Sequence, residues 1–264
     1  MVLVRSTREL APDAAAAVAL RPGPGEAPER APGVAAYWGA GHVVALLSGR
    51  PVVVNGFGSY LDEATFWKLQ RVTAEDPEAF DRWLEERRVG YVVTGAPYLG
   101  REVFTPGAGG FVLSPDAMRG LPMAPLVIAG SGIPDRGVPH LRHLMPIFAS
   151  EQVVPGIAFT LPWMWTYARV PGARLAGRAG PGARVVLEVP FTERRRPHVW
   201  RGWADAGPDG RWELVVPLPT GLWRPTLRTA PEARLRVGPG EGVPVAIPED
   251  AVRQGRTIEG PTPR

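Results

Sequence analysis

The sequence predicts an α+β protein: an N-terminal α/β core with a mainly parallel sheet, followed by a C-terminal β-sandwich or barrel-like module. Two observations carry this prediction. Between residues 34 and 94, strand-like and helix-like segments alternate, which is typical of parallel sheets. Between residues 175 and 237, short strand-like segments recur at regular spacing between Gly- and Pro-containing turns, which is typical of sandwiches and small barrels.

The first 33 residues are predicted to be a leader or linker. Residues 13–20 are rich in Ala and favour a short helix, whereas residues 21–33 contain four prolines and three glycines, which no helix tolerates. We therefore divide the chain into a leader or linker (1–33), an α/β core domain (34–158) and a β-rich module (159–264).

Periodicity and capping signals predict the elements of the core. Gly49 stands where a helix C-cap is expected, Ser59 where an N-cap is expected, and Pro77 at a first helical position. The resulting β-α-β order implies a right-handed crossover. The predicted elements are strands at 34–37, 52–55 and 91–94, helices at 42–48 and 61–72, and a helix that starts at Pro77, buries Phe80, Trp83 and Leu84, and ends at Gly90.

The pattern weakens after residue 95 and returns in the β-rich module. A short helix limited by Pro146 is expected at 141–148, and a strand at 159–170 is expected to lead out of the core. Val185, Leu187 and Val189 alternate with other residues, which predicts one covered sheet face. The strands expected in the module lie at 175–178, 184–190, 199–204, 211–217, 226–229 and 233–237.

Composition excludes some classes of site. The chain has no Cys, which removes disulfides and thiolate metal sites. Lys68 is its only lysine, so almost all positive charge is Arg, and the formal charge of +4 over 264 residues is weak support for nucleic-acid binding. The sequence has no uninterrupted apolar run of membrane-spanning length and no secretory signal core, so the chain as given is expected to be soluble.

The segment Tyr37–Pro51 is the principal candidate for a binding loop. It joins an aromatic pair, Tyr37 and Trp38, to a Gly-x-Gly turn and His42 at a predicted strand-to-helix junction. A lone His is more often structural than catalytic, but a functional His42 would donate a hydrogen bond or carry a proton near neutral pH. The segment contains no complete catalytic set.

Other candidates have strong structural explanations. His140 and His143 have helical i,i+3 spacing for a metal, but they lack a third ligand and flank Arg142. Asp62 and Glu63 lie where carboxylates cap a helix. Arg195, Trp200 and Trp203 belong to a basic and aromatic cluster that either binds a ligand or forms a solvated hairpin loop and a core-facing strand. The sequence has no phosphate loop and no nucleophile elbow, so a self-contained enzyme is not expected.

The order of motifs resembles the soluble C-terminal domain of oligosaccharyltransferase catalytic subunits, and the closest similarity is to distant bacterial members. The family signature Trp-Trp-Asp-Tyr-Gly, followed by His, a short helix and Arg-Pro, is matched here by Tyr37 to His42 and by Arg50-Pro51. Residues 167–173, Asp209 to Trp212 and residues 215–217 resemble the family's β module. The resemblance covers residues 34–260, and each motif is degenerate.

The resemblance implies a role in glycan transfer to Asn without catalysis by this chain alone. Tyr37, Trp38 and His42 correspond to acceptor-contacting positions, with Gly39, Gly41 and Arg50 shaping the loop. The family's Asp is Gly39 here, so the acceptor for the Ser or Thr hydroxyl is missing, which removes about 1–3 kcal/mol of preference. The family's second motif, with Asp and Lys or Ile, has no clear match. In the family's enzymes, the catalytic carboxylates and the divalent metal belong to membrane-embedded loops.

Three function hypotheses follow. The first is an extracytoplasmic, periplasmic-type domain of a membrane glycosyltransferase, partnered by the membrane part and by an acceptor polypeptide; a cytoplasmic location stays open for the chain as given. The second is a free-standing carbohydrate- or protein-binding module that uses Trp200, Trp203 and Trp212. The third is nucleic-acid binding through the Arg cluster, which is the weakest of the three.

Overall fold

The computed structural model describes most of the C-terminal half and separate stretches of the N-terminal half. The described residues are 17, 20–21, 32–36, 41–53, 77–95, 104–107, 110–113, 141–153, 162–224, 227–238 and 241–261. They fall into two compact units, one within residues 1–131 and 146–169 and the other within 132–145 and 170–264. The protein is predominantly β with mixed sheets. Within these ranges, no helix is long and apolar enough to cross a membrane.

The first unit is built on a mixed four-stranded sheet with strand order β1-β2-β6-β5. β1 runs parallel to β2, while β2 is antiparallel to β6, so the sheet is mixed and the mainly parallel core stays a prediction. Val52 adds a single parallel bridge to Val34 where a strand was predicted. The elements are β1 (Gly33–Ala36), α1 (Gly41–Ser48), α2 (Pro77–Glu86), β2 (Val89–Gly95), the hairpin β3 (Phe104–Gly107) and β4 (Gly110–Leu113), β5 (Leu144–Ala149) and β6 (Met164–Arg169).

The core of the first unit includes residues from the predicted leader. Ala17 and Leu20 are almost fully buried and pack with Val34, Ala36 and Val44. Burial of these aliphatic side chains removes apolar surface from water, which is the main favourable term in folding. Ala17 and Leu20 therefore contribute to the core of this unit.

α2 matches its prediction in both its start and its buried face. It begins at Pro77, and Phe80, Trp83 and Leu84 are buried. Arg169 on β6 fixes the helix by donating to both carboxylate oxygens of Asp81, at 2.8 and 3.1 Å, and these bonds raise the pKa of Arg169. Bidentate pairs of this kind add geometric specificity as well as energy.

Two predictions for this unit were wrong. Residues 144–149 form strand β5 where a helix was expected, and β5 is at the edge of the sheet, where Pro146 is tolerated because an edge strand has backbone groups outside the ladder. The helix α2 ends before Gly90: Arg88 turns the chain with φ of 52°, and Gly90 lies inside β2. A Cβ at Gly90 would stand 2.5 Å from the Pro32 side chain, so close packing accounts for this glycine.

The second unit contains a three-stranded sheet, β10-β7-β14, and a five-stranded sheet in which β8 pairs with β9, β11 and β12, and β12 pairs with β13. All six predicted strands are present, whereas β13, α3 and β14 were not predicted. Their bounds are β7 (Ala173–Arg178), β8 (Arg184–Glu193), β9 (Arg196–Asp205), β10 (Arg211–Val216), β11 (Leu227–Thr229), β12 (Ala233–Val237), β13 (Val243–Val245), α3 (Glu249–Gln254) and β14 (Thr257–Glu259).

Large aromatic side chains fill the interior of the second unit. Trp200 is 2% exposed and donates its indole N–H to the Leu141 carbonyl at 3.2 Å. The ring of Trp212 lies over Gly177, where a Cβ would be 2.6 Å from the ring, and over Gly260, where it would be 2.8 Å away. These two glycines leave the space that the indole occupies, so the ring links β7, β10 and the residue after β14.

Candidate functional site

The candidate loop connects the carboxyl end of β1 to the amino end of α1. Its central residues, Tyr37, Trp38, Gly39 and Ala40, lie outside the described residues, as does the His42 side chain. The acceptor-contacting role of these positions therefore stays a prediction. The structure describes the two elements that border the loop and the residues that follow it.

Both bordering elements are anchored in the core of the first unit. Val34 and Ala36 on β1 are fully buried, as is Val44 on α1, so both ends of the loop are fixed to the same packed interior. α1 ends at Ser48, and Gly49 follows with φ of 71°, the left-handed conformation expected of a C-cap glycine. Loops that carry binding residues are commonly held by rigid elements in this way.

Arg50, two residues after α1, is a buried charge. Its residue is 5% exposed, its Nε donates to the Leu20 carbonyl at 2.5 Å, and a terminal nitrogen reaches the Pro32 carbonyl at 3.5 Å. The guanidinium also lies 4.7 Å from the centre of the Tyr91 ring, within cation–π range. These contacts join residues that are distant in sequence, so Arg50 holds the segments around the loop together.

The alternative ligand patch is not brought together by the structure. Arg195 is exposed in the turn between β8 and β9 with φ of 71°, whereas Trp200 is buried in the core. Trp203 is three positions further along β9, and neighbouring side chains alternate between faces of a strand, so Trp203 and Trp200 point to opposite faces. Trp200 is a core residue, and the predicted combination of Arg195, Trp200 and Trp203 is not a common surface.

Of the histidine pair, the structure describes His143 alone, and it does not lie in a helix. His143 precedes strand β5, with its Nδ1 3.2 Å from the Val170 carbonyl oxygen, and His140 lies outside the described residues together with Asp62 and Glu63. Within the described part of the chain, no three His, Cys, Asp or Glu residues are close enough to hold a metal ion.

A buried carboxylate at the tip of the β8–β9 hairpin was not anticipated. Glu193 is 1% exposed, and its carboxylate forms ion pairs with Arg194, at 3.2 Å, and with Arg196. Arg194 and Arg195 form the two-residue turn with φ of 46° and 71°, a backbone conformation that favours Gly or Asn. The sequence signal was a Glu directly before three arginines, which we had interpreted as a solvated loop.

Part of the second unit matches a known family model. Residues 172–258 match the model described as the archaeal glycosylation protein B long peripheral domain. These residues are thus similar to an oligosaccharyltransferase peripheral domain, which confirms the resemblance found in the sequence; a bacterial origin stays a prediction.

Solved structures of the oligosaccharyltransferase AglB from Archaeoglobus fulgidus share the fold more widely. The apo form matches with a TM-score of 0.66 and 13% identity over 90% of this chain and 38% of that one. The form with Zn and sulfate gives 0.65 and 13% over 90% and 42%, and the form with an inhibitory peptide and dolichol-phosphate gives 0.65 and 14% over 90% and 38%. The present chain thus spans about two fifths of those proteins. No curated protein sequence matches it significantly.

Proposed function

We propose that this chain is the extracytoplasmic soluble domain of an oligosaccharyltransferase-like membrane glycosyltransferase. Its role is to bind the acceptor or to scaffold the membrane domain, and it does not catalyse transfer alone. The observation that carries the proposal is the shared fold over 90% of this chain, together with the peripheral-domain match in residues 172–258. The partners are the membrane-embedded catalytic part and the acceptor polypeptide.

The finer architecture in this proposal is an α/β core that is followed along the chain by a two-sheet module. In the second unit, a Cβ at Gly202 on β9 would stand 3.2 Å from the Leu214 side chain on β10, so residues of both sheets share one interior. This packing supports a sandwich. In the first unit, the parallel β1–β2 pair supports an α/β core at whose sheet edge the loop begins.

Acceptor contact is assigned to Tyr37, Trp38 and His42. Aromatic side chains provide wide contact surfaces with a polar group at one end, which suits a bound peptide. Gly39 replaces the carboxylate that would accept a hydroxyl hydrogen bond, so recognition rests on shape and stacking. The divalent metal that the resemblance implies is assigned to the membrane part.

A peptide titration tests the acceptor role. The 264-residue chain is titrated with a peptide that contains Asn-Xaa-Thr and with its Asn-Xaa-Val counterpart, while the indole N–H signals are followed by NMR and assigned with Trp38→Phe. We expect weak binding that perturbs Trp38 and hardly distinguishes Thr from Val. Gly39→Asp should introduce a Thr preference of roughly fivefold or more, since one buried hydrogen bond contributes about 1 kcal/mol. Perturbations confined to signals other than Trp38 would contradict acceptor binding by this loop.

The membrane partner is tested separately. The coding sequence around Met1 and its neighbouring genes is examined for a multi-span membrane segment, and the chain is cross-linked in membranes of the source organism. Cross-links to a multi-span glycosyltransferase, or continuity with one in the same reading frame, support the scaffold role. Recovery of the chain free of any membrane protein in both experiments would overturn it.

A free-standing carbohydrate-binding module is less well supported. Two of the three tryptophans considered for it, Trp200 and Trp212, are 2% and 4% exposed. A stacking platform requires accessible rings, so this hypothesis loses most of its proposed surface.

A further inference from the structure

The five-stranded sheet has one face directed away from the core, which we call the outer face. On β8 the odd-numbered residues are buried and the even-numbered residues are not, and residues paired across an antiparallel ladder share a face. The strand register therefore determines which residues lie on this face. Its residues are Arg184, Val186, Glu188, Pro190 and Thr192 on β8, Pro197, Val199, Arg201, Trp203 and Asp205 on β9, Arg228 on β11, Arg234 and Arg236 on β12, and Pro244 on β13.

The outer face is strongly cationic. It carries five arginines against two carboxylates. Asp205 pairs with Arg184 at 2.9 Å, and Glu188 pairs with Arg201 at 2.8 Å and with Arg236 at 3.4 Å. Arg228 and Arg234 are both exposed, and no ion pair joins either of them to another described residue. A positive field thus covers the face even after its internal pairs are formed.

An exposed tryptophan extends this face. Trp223 forms a bridge with Arg228 and is 68% exposed, and the Arg228 guanidinium lies 5.0 Å from the ring centre. Trp203 is half-buried within the face, opposite Val186. An indole left in water retains a large apolar area that association with a partner would remove. The outer face therefore combines spread positive charge with aromatic surface.

The distribution of these groups favours an extended anionic surface over a single small anion. The side chains of Arg184, Arg201 and Arg236 are 59%, 31% and 39% exposed, so none of them lines a closed pocket. The charges are spread over paired strands about 4.8 Å apart instead of converging on one point. Tryptophan with arginine is the composition found at membrane–water interfaces, where each basic side chain is attracted to anionic headgroups.

We propose that the outer face of the five-stranded sheet docks on the headgroup surface of an anionic lipid bilayer. Trp223 enters the interface, and Arg228 and Arg234 contact lipid phosphates. This goes beyond the proposed function, because it assigns the surface of the second unit that faces a membrane. Its failure would leave the acceptor and scaffold roles untouched, since those are measured by binding of a peptide and by cross-links to a membrane protein, and not by binding to lipid.

Vesicle sedimentation tests the docking. The full 264-residue chain is mixed with vesicles of phosphatidylcholine alone or of phosphatidylcholine with phosphatidylglycerol, at increasing NaCl concentration. We expect partition onto the anionic vesicles only, and a decrease with salt. The double variant Arg228→Glu/Arg234→Glu should bind at least roughly 25-fold more weakly, since each basic side chain near such a surface contributes about fivefold.

A matched variant controls for net charge. Arg178 and Arg211 are exposed partners in the three-stranded sheet, so Arg178→Glu/Arg211→Glu changes the total charge equally on a different surface. This control should retain most of its vesicle binding. Quenching of tryptophan fluorescence by brominated lipid should fall in Trp223→Phe and not in Trp212→Phe, because Trp212 is buried.

Three outcomes would overturn the proposal. The first is absence of binding to anionic vesicles, and the second is an equal loss in both charge-reversal variants. The third is binding to soluble polyglutamate or RNA as strong as that to vesicles, which would assign the outer face to an acidic macromolecule instead. Far-ultraviolet circular dichroism that matches the parent chain verifies that each variant is folded.

Discussion

Among the described residues, Arg50 in the first unit and Glu193 in the second are buried charged side chains, and the two units stabilise them in different ways. In the first unit, Arg50 donates to carbonyls of residues 20 and 32 and lies over the ring of Tyr91. In the second unit, the Glu193 carboxylate is paired with arginines one and three positions further along the chain. The first arrangement joins distant segments, whereas the second is confined to one hairpin.

This difference separates charge used for tertiary structure from charge used for local structure. Removing Arg50 should loosen several segments, because their buried carbonyls lose a charged donor. Removing the Glu193 charge should affect one turn. Stability depends on which groups remain buried without compensation, more than on the number of ion pairs.

The largest effect is expected for Arg50→Ala. Two carbonyls lose a charged donor in a buried site, so the first unit should lose about 2–4 kcal/mol of stability. Urea unfolding measures the loss of global stability, and hydrogen exchange at the Leu20 amide measures the local loss. Arg21→Ala is the matched control: it removes a comparable bond from an exposed Nε to the Leu47 carbonyl and should cost about 0.5 kcal/mol or less. Equal costs for both variants would contradict the role of Arg50.

Gly177→Ala tests whether the Trp212 ring joins distant segments of the second unit, as Arg50 does in the first unit. The new methyl group would stand 2.6 Å from Trp212, whose ring cannot retreat because Gly260 lies close to it as well. Overpacking of this kind costs about 1–3 kcal/mol. Gly180→Ala is the control, since nothing lies within 4 Å of the added carbon. Thermal unfolding should rank the parent and Gly180→Ala together, well above Gly177→Ala.

Glu193→Gln should have a smaller and more local effect of about 1–2 kcal/mol. Arg194 and Arg196 are 22% and 15% exposed, so water partly compensates them when the carboxylate charge is lost. Hydrogen exchange should quicken at the tip of the β8–β9 hairpin and stay unchanged in β7. Glu188→Gln on the same strand removes a more exposed carboxylate with two arginine partners and should cost less than about 1 kcal/mol. A larger loss of stability for Glu188→Gln than for Glu193→Gln would contradict the larger contribution that we assign to the buried Glu193 carboxylate.

The smallest effect concerns Glu249 in α3. Its hydrogen bond with Arg253 holds the pKa of Glu249 below its ordinary value of 4.5. Because the folded-state pKa is depressed, this carboxylate stabilises the fold above pH 4.5, and the contribution is lost as the pH falls through the folded-state value. Solvent screens the half-exposed pair, so Glu249→Gln should cost well under about 1 kcal/mol at pH 7, and the cost should decrease as the pH is lowered through the folded-state pKa. An equal cost above and below that pKa would exclude an ionic origin.

Local patterns explain which parts of the fold could be predicted from the sequence. Ala233–Val237 was predicted with its observed bounds, and β7 to β10 were predicted to within a few residues, because alternation along a strand is a local signal. Residues 141–148 misled us since Leu141, Leu144 and Phe148 have the i,i+3,i+7 spacing of a helix. Leu144 and Phe148 are buried as residues of strand β5, whose pairing local spacing does not encode.

For the candidate site, only the bordering elements could be predicted from the sequence. The strand before it, the helix after it and the cap at Gly49 were predicted from local signals. The burial of Arg50 was beyond sequence reasoning, because its partners come from residues 20, 32 and 91. The same limit applies to Trp200 and Trp203, which are alike by type and opposite in direction, since only the strand register separates a core ring from a surface ring.

The pairing of β14 with β7 has a consequence for synthesis. β14 pairs in parallel with β7, with Thr257 opposite Arg174. One edge of the first strand of the second unit is therefore paired only by the last strand of that unit. During translation, one edge of β7 must wait for more than eighty further residues before its partner leaves the ribosome. Over that interval the exposed edge is a template for pairing with other chains. A chain whose synthesis ends before residue 257 lacks β14, so we expect it to be prone to aggregation.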